Sequence, residues 1–324
     1  MDATAIRIYE TGGADVLRRE KTALPPPGNG EILIKTRAVG VNYIDIYHRT
    51  GLYPVALPAT LGLECAGTVE AVGDGVSGVA LGARVGCCVG GLGAYADYRL
   101  LKADAAIPLP DDVSFEQAAA VLLKGMTAEY LIRRACPVRA GDTILWHAAA
   151  GGVGLLACQW LKQLDVEVIG TAGTPEKAEL AKAHGCAHVI LYGKEDVAAR
   201  VREITNGAGV PAAFDSVGAA TFQSTLKSLA PRGMFVSFGN ASGAVPPFAP
   251  SLLAENGSLF FTRPTLAAYC APPDDMRASA DALFFAMRAG LRPVIGQTLP
   301  LAEAAAAHRA LESRQTTGAT VLLP

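Results

Sequence analysis

The chain contains no apolar run near the roughly 20 residues that cross a bilayer; Gly, Lys or Asp interrupts each of its longer ones. That excludes an ordinary membrane-spanning helix. No block of like charges occurs either. The 28 basic and 30 acidic residues leave a net charge of −2, too little for a field that gathers nucleic acid or anionic lipid. The opening residues, MDATAIRIYETGG, lack a basic stretch followed by an apolar one, so no secretory signal is expected. Cysteine is scarce and scattered: seven in 324 residues, with no C-x-x-C. Reduced thiols and a cytoplasmic location are the expectation. All seven read as small buried hydrophobes. Cys87 and Cys88, adjacent in a strand-like segment, point to opposite faces. No Ser-His-Asp set or carboxylate pair stands out. The histidines, His48, His147, His184, His188 and His308, have no ligand spacing and read as polar tips on surfaces or near turns.

What is present is a chain for packing. It is 51% hydrophobic and 18% charged, and its length suits two domains. The first third alternates short apolar runs with Gly, Asp and Pro. ATAIRIYE, EILIKTRAVGVN, AGTVEAVGDGV, GARVGCCVG and GAYADYRLLKADAAIPLP read as strands of a compact, mostly β, barrel-like domain. At Ser114 the pattern becomes helical. Ser114 and Gln117 form a capping-box signature, and Gly125 is expected to divide the segment into two helices.

From Asp142 strand and helix alternate: TILWHAA, GGVGLLACQWLKQL, EVIGTAG, TPEKAELAKAHG, HVILY, KEDVAARVREITNG, VPAAFDSVG, AATFQSTLKSLAPRG, MFVSFGN. Regular βα alternation with short links predicts a doubly wound parallel sheet. After GSLFFTRPTL a helix, a strand, a helix and a last strand are expected to return to the first domain. The domain expectation is 1–125 and 266–324 for one domain and 126–265 for the other.

Between TILWHAA and the next helix stands A-x-G-x-x-G, residues 149–154. In a dinucleotide turn one glycine makes the bend, one admits the pyrophosphate, and one lets helix and strand pack closely. Gly151 and Gly154 suit the last two roles. Ala149 holds the first, which it can fill where the bend needs no positive φ. Backbone N–H groups of Ala150, Gly151, Gly152 and Val153 then face a phosphate at a helix N-terminus. An acidic residue that would hold a ribose 2′-OH is missing from Gly170 to Pro175. The loop offers Thr171, Gly173, Thr174 and then Lys177, which suits a 2′-phosphate. Thr174 equally suits an N-cap. NADPH is the expected cofactor.

GLECAGTVEAVGDGV resembles the G-H-E-x-x-G-x-V-x-x-V-G signature of the medium-chain dehydrogenase/reductase superfamily, and AAAGGVG resembles its nucleotide turn. GVNYIDIYHRTGLYP, LLKGMTAEYLIRR, HAAAGGVGLLACQW, SFGNASGAV and LESRQTTGATVLLP are similar to its quinone oxidoreductase (zeta-crystallin) branch, over essentially the whole chain. The resemblance implies an α/β protein: a Rossmann doubly wound sheet plus a mainly β, GroES-like barrel domain carrying the catalytic groups. Zinc-dependent relatives place a Cys and a His where this chain has Asn42 and Leu63, so no metal site is expected.

Without a Lewis acid, alcohol oxidation is disfavoured, and a readily reduced flat acceptor such as a quinone fits. The resemblance implies that Asn42, Tyr47 and Tyr53 serve catalysis. It further implies that Asn42, Asp45, Lys124, Thr127, Tyr192, Ser216, Phe238, Gly239, Asn240, Ser242 and Arg314 lie about the cofactor. GSLFFTRPT is the implied edge strand of a homodimer. Two alternatives stand beside NADPH:quinone reduction: an enone or alkenal reductase of the same fold, and an NADPH-binding protein with a structural or RNA-binding role. The balanced charge speaks against nucleic acid.

Overall fold

A computed structural model describes all of residues 1–324. Its first stretch is β1 (Asp2–Ile8), β2 (Arg18–Ala23), β3 (Glu31–Val41), α1 (Tyr43–Thr50), β4 (Ala59–Thr60), β5 (Glu64–Val72), β6 (Arg84–Cys87), β7 (Tyr98–Lys102) and β8 (Ile107–Pro108). Then come α2 (Phe115–Tyr130), β9 (Thr143–Trp146), α3 (Gly152–Gln163), β10 (Glu167–Ala172), α4 (Pro175–Ala183), β11 (His188–Leu191), α5 (Val197–Ile204), β12 (Val210–Asp215), α6 (Phe222–Ser228), β13 (Leu229–Ser237), α7 (Ser251–Glu255), β14 (Phe260–Thr262) and α8 (Leu266–Tyr269). The chain closes with α9 (Pro273–Arg288), β15 (Ile295–Pro300), α10 (Ala304–Glu312) and β16 (Ala319–Leu323). Two compact units result: residues 1–124, 272–284 and 293–324, and residues 125–271 and 285–292.

The first unit is built on a seven-stranded sheet in the order β15-β16-β3-β5-β6-β8, with β7 also paired to β3, and on a small sheet β2-β1-β4. The last strand, β16, pairs antiparallel with β3, so the chain end completes a sheet begun nearly 300 residues earlier. Alternate apolar residues of β1, β3 and β5 point into one core with Ile8, Ile32, Ile34, Leu61 and Val69. Small residues bring helix and sheet together elsewhere. A Cβ on Gly40 would lie 2.2 Å from the Ala119 carbonyl oxygen.

The second unit holds six parallel strands in the order β11-β10-β9-β12-β13-β14. The order reverses between β9 and β12, and ligands of such sheets bind beyond the strand C-termini at that point. β14 is the expected edge strand.

Two local expectations fail. Gly125 does not divide the helix: α2 runs unbroken through it, then ends in a π-helical turn at Leu131–Ala135. A mid-helix glycine costs about 1 kcal/mol; burial of Ala118–Leu122, Met126 and Ala128 offsets it. The helix expected over AATFQSTLKSLAPRG stops at Ser228, and β13 already starts at Leu229. Pro231 has no N–H for a helix and disfavours helical geometry in its predecessor.

Candidate functional site

The second unit's glycine turn joins β9 to α3. Its left-handed residue is Ala148, with φ 55°, one place before the alanine expected to make the bend. A non-glycine residue held there costs about 1–2 kcal/mol, and a buried polar chain holds it. Thr171 Oγ1 accepts from the Ala148 N–H at 3.2 Å, and its hydroxyl donates to His147 Nδ1 at 3.2 Å. His147 Nε2–H donates to Thr225 Oγ1 at 2.9 Å, and that hydroxyl donates to Asp215 Oδ2 at 2.9 Å. Burial lowers the imidazole's pKa, favouring the neutral ring this chain needs. His147 is therefore no surface tip, and Thr171 faces inward rather than into the loop it was expected to line.

The turn is tight enough that only glycine fits at its end. A Cβ on Gly154 would meet the Ala148 and Ala149 carbonyl oxygens at 2.5 and 2.6 Å. Gly151 is the extended N-cap of α3, with no side chain capping the helix, so the first N–H groups of α3 have no intrahelical acceptor. This is a cradle into which phosphate oxygens fit.

The neighbouring strand ends carry the other expected residues. After β10, Gly173 lies so close to Tyr192 that a Cβ there would be 2.6 Å from the tyrosine hydroxyl. Thr174 is indeed the N-cap of α4, accepting from Lys177 N at 3.3 Å. After β12, Ser216 follows Asp215, whose Oδ1 accepts from Val217 N and Gly218 N at 2.7 and 3.1 Å. After β13, Phe238 packs on Trp146 with ring centroids 5.6 Å apart, and Ser242 Oγ accepts from Ala220 N at 3.0 Å. Gly239 and Asn240 complete that turn. Thr127 is buried on α2.

In the first unit Asn42 caps α1 after β3. Both of its amide hydrogens are committed: Nδ2 donates to Glu64 Oε2 at 2.9 Å and to Gly40 O at 3.3 Å. Lys124 Nζ also reaches Glu64 Oε2 at 2.9 Å, and Leu123 N donates to Oε1 at 2.7 Å. Glu64 is fully buried. It therefore fixes which way the Asn42 amide faces, leaving the carbonyl oxygen as its acceptor end. Beside it Tyr43, Tyr47 and Tyr53 form an aromatic cluster, with centroids 5.9 and 5.1 Å apart in succession. Tyr43 was not expected; its hydroxyl donates to Leu311 O at 3.3 Å, and the Arg314 charge acts on it against burial.

Residues 28–111 match the alcohol dehydrogenase GroES-like domain model, and 152–282 match the zinc-binding dehydrogenase model. A quinone oxidoreductase of Pseudomonas aeruginosa is 49% identical over 99% of this chain and 100% of its own length. This chain belongs to the quinone oxidoreductase family of the medium-chain dehydrogenases/reductases. The Escherichia coli quinone oxidoreductase solved in complex with NADPH superposes with a TM-score of 0.97 at 43% identity, covering 99% and 100% of the two chains. A 2-haloacrylate reductase of Burkholderia is 42% identical over 98% of each chain.

In this quinone oxidoreductase family member, no three His, Cys, Asp or Glu side chains are grouped to hold a metal ion. Where zinc-dependent relatives carry Cys and His stand Asn42, bonded to Glu64, and Leu63, an aliphatic side chain. The donor set does not fit zinc.

Asp45 and His308, the latter expected as a polar tip on a surface or near a turn, form a second buried network. Arg49 Nη1 donates to His308 Nδ1 at 3.2 Å; guanidinium can only donate, so Nε2 carries the proton toward Tyr95 Oη, 2.8 Å away. Tyr95 donates to Asp45 Oδ2 at 3.1 Å, and Asn42 N donates to the same atom at 2.9 Å. Sequence reasoning missed Arg49, Tyr95 and Glu312, which pairs with Arg49 at 2.6 Å; no spacing signals them.

Burial pushes the Asp45 carboxyl up to about 7, and burial with Arg49 pushes His308 down to about 3. Between about pH 4 and 7 the folded chain keeps an Asp45 proton that the unfolded chain has lost, so this group's contribution falls as pH rises. Between about pH 3 and 6.5 the folded chain refuses a proton that unfolded His308 binds, so its contribution rises. The slopes, about 1.4 kcal/mol per pH unit each, oppose one another. Asp45→Asn removes the first. Urea unfolding at about pH 4.5 and 6.5 is expected to show the variant gaining roughly 3 kcal/mol relative to wild type across that interval; equal changes in both proteins would refute the raised Asp45.

Proposed function

We propose that this protein reduces quinones with NADPH and without zinc. The observation that carries the reading is the closed Asn42–Glu64–Lys124 set standing where zinc-dependent relatives place metal ligands. With no Lewis acid to stabilise an alkoxide, an acceptor that takes hydride readily is required. The family relatives named as quinone oxidoreductases, one of them solved with NADPH, support it.

The cofactor supplies the hydride when bound. The N–H groups from Ala150 to Val153 bind its pyrophosphate. Gly173, Thr174, Lys177 and Tyr192 receive the 2′-phosphate; Thr174 is exposed there, with Tyr192 beside the glycine. Thr127, Ser216, Phe238, Gly239, Asn240 and Ser242 shape the nicotinamide side, with Asp45 holding Asn42 and Arg314 offering a cation. Asn42, whose N–H groups are spent, recognises a donor on the cofactor rather than a quinone oxygen. Tyr47 and Tyr53 bound the flat acceptor and supply the hydroxyl that bonds its reduced oxygen.

The catalytic domain is assigned to 1–125 and 266–324, and the cofactor domain to 126–265. A cytoplasmic homodimer is part of the proposal, joined through β14, where Phe260 is 58% exposed on the sheet edge.

A second reading, reduction of an activated alkene, is favoured by the 2-haloacrylate reductase relative. Oxidation of NADPH and NADH by chelator-treated protein separates the two. Rapid NADPH loss with a small quinone supports the proposal. Turnover confined to an enone replaces it with alkene reduction, and none with either acceptor overturns both.

A further inference from the structure

Cys65 and Cys87 face each other across β5 and β6, and their sulfurs lie 3.4 Å apart. Both are fully buried, as is Arg99 of β7. Arg99 Nη1 lies 2.9 Å from Cys87 Sγ and 3.7 Å from Cys65 Sγ; its remaining hydrogen bonds go to the carbonyls of Leu63 and Gly91. No carboxylate is among its partners. A buried guanidinium left without an anion is destabilising, and the Cys87 sulfur is the ionisable atom against it. We propose that Cys87 is a thiolate paired with Arg99 and, with Cys65, forms a peroxide-reactive dithiol that closes into a reversible cross-strand disulfide.

Three groups act on Cys87: Cys65, Arg99 and Glu64, while Cys88 acts on Arg99. The hydrogen bond from Cys65 and the Arg99 charge outweigh burial and the Glu64 carboxylate, bringing the thiol down to about 6. Directly paired strand residues have Cα atoms about 4.5–5.5 Å apart, within the span a disulfide bridges. A peroxide reaches the pair when the glycine loop above it opens locally. Gly90 and Gly91 are exposed, Gly93 completes a run of positive-φ glycines, and the Gly91 carbonyl caps Arg99 at 2.5 Å.

The Cys87 thiolate attacks a peroxide oxygen, breaking the O–O bond and giving a sulfenic acid and hydroxide. The Cys65 thiol then displaces water from that sulfur to form the S–S bond. The two sulfurs are oxidised by two electrons, and hydrogen peroxide is reduced to water and hydroxide. Oxidation strips Arg99 of its anion, so a small dithiol reopens the bond readily.

The chain carries its own comparison. Cys158 and Cys186 have sulfurs only 3.3 Å apart but no cation on them; their shared hydrogen bond and burial hold Cys158 well above the ordinary thiol range. Distance alone favours that pair; ionisation favours Cys65–Cys87. The reduced full-length protein is treated with stoichiometric hydrogen peroxide, alkylated and mapped by peptide mass spectrometry. A Cys65–Cys87 link forming at least about tenfold faster than Cys158–Cys186 is expected. No link, or equal rates, overturns the proposal. Cys65→Ala keeps Arg99 and leaves Cys87 to stop at the sulfenic acid, which a 1,3-dione traps; a folded variant that gives no adduct also overturns it.

Discussion

Glu64→Ala is expected to lower stability by about 3–5 kcal/mol, because it leaves the Lys124 ammonium buried without a partner. The lysine side chain is only 7% exposed and its neighbours offer no second carboxylate in contact. The same change frees the Asn42 amide and the Leu123 N–H. Gln is not a mild replacement: one face of the carboxylate meets Leu123 N–H, the other meets Asn42 and Lys124, and an amide places a donor against one of them. Removing both charges, as Glu64→Leu with Lys124→Met, is expected to recover most of the stability. It should not recover activity, since Asn42 stays unoriented and a misplaced group can cost on the order of 100-fold. Urea unfolding and NADPH–quinone kinetics on the single and double variants check this. A single variant as stable as wild type would show that the pair contributes nothing.

Gly154→Ala should weaken NADPH binding at least about tenfold, while Gly193→Ala, with nothing within 4 Å of a new Cβ, changes little. At Gly154 the obstacles are two backbone carbonyls, 2.5 and 2.6 Å away. They cannot swing aside as a side chain would, because Ala148 is already left-handed and bonded to Thr171. The expected loss is about 3 kcal/mol of stability, the upper part of the range for overpacking. If the turn shifts to make room, the phosphate cradle moves with it, and a loss of about 1.4 kcal/mol in binding is already tenfold in Kd. Calorimetric titration with NADPH on both variants checks it. Unchanged affinity in a folded Gly154→Ala protein would remove the turn from the proposed site.

Local chemistry is legible in the order of the residues. Ser114 and Gln117 exchange the hydrogen bonds their spacing announces. Thr174 caps α4, and the βα rhythm from Thr143 onward becomes the parallel sheet. These features depend on residues a few positions apart, where spacing and backbone preference act directly. Gly125 and Ser228–Pro231 mark the limit even of local reading, since burial kept one helix whole and proline ended another early.

The amino-acid order alone is enough to mark this protein as an α/β oxidoreductase of the quinone oxidoreductase family, with a nucleotide turn at Ala149–Gly154. What holds the chemistry in place comes from the folded chain. Glu64 meets Lys124 from 60 positions away, His308 meets Arg49 from 259, and Cys65 finds Cys87 only through the register of β5 and β6. Burial keeps His308 neutral, whereas the Cys65 hydrogen bond and Arg99 bring Cys87 down against burial; the same residue types on the surface would be solvated and unremarked. A linear pattern records neither the pairing nor the loss of water, and together these shift Asp45, His308 and Cys87.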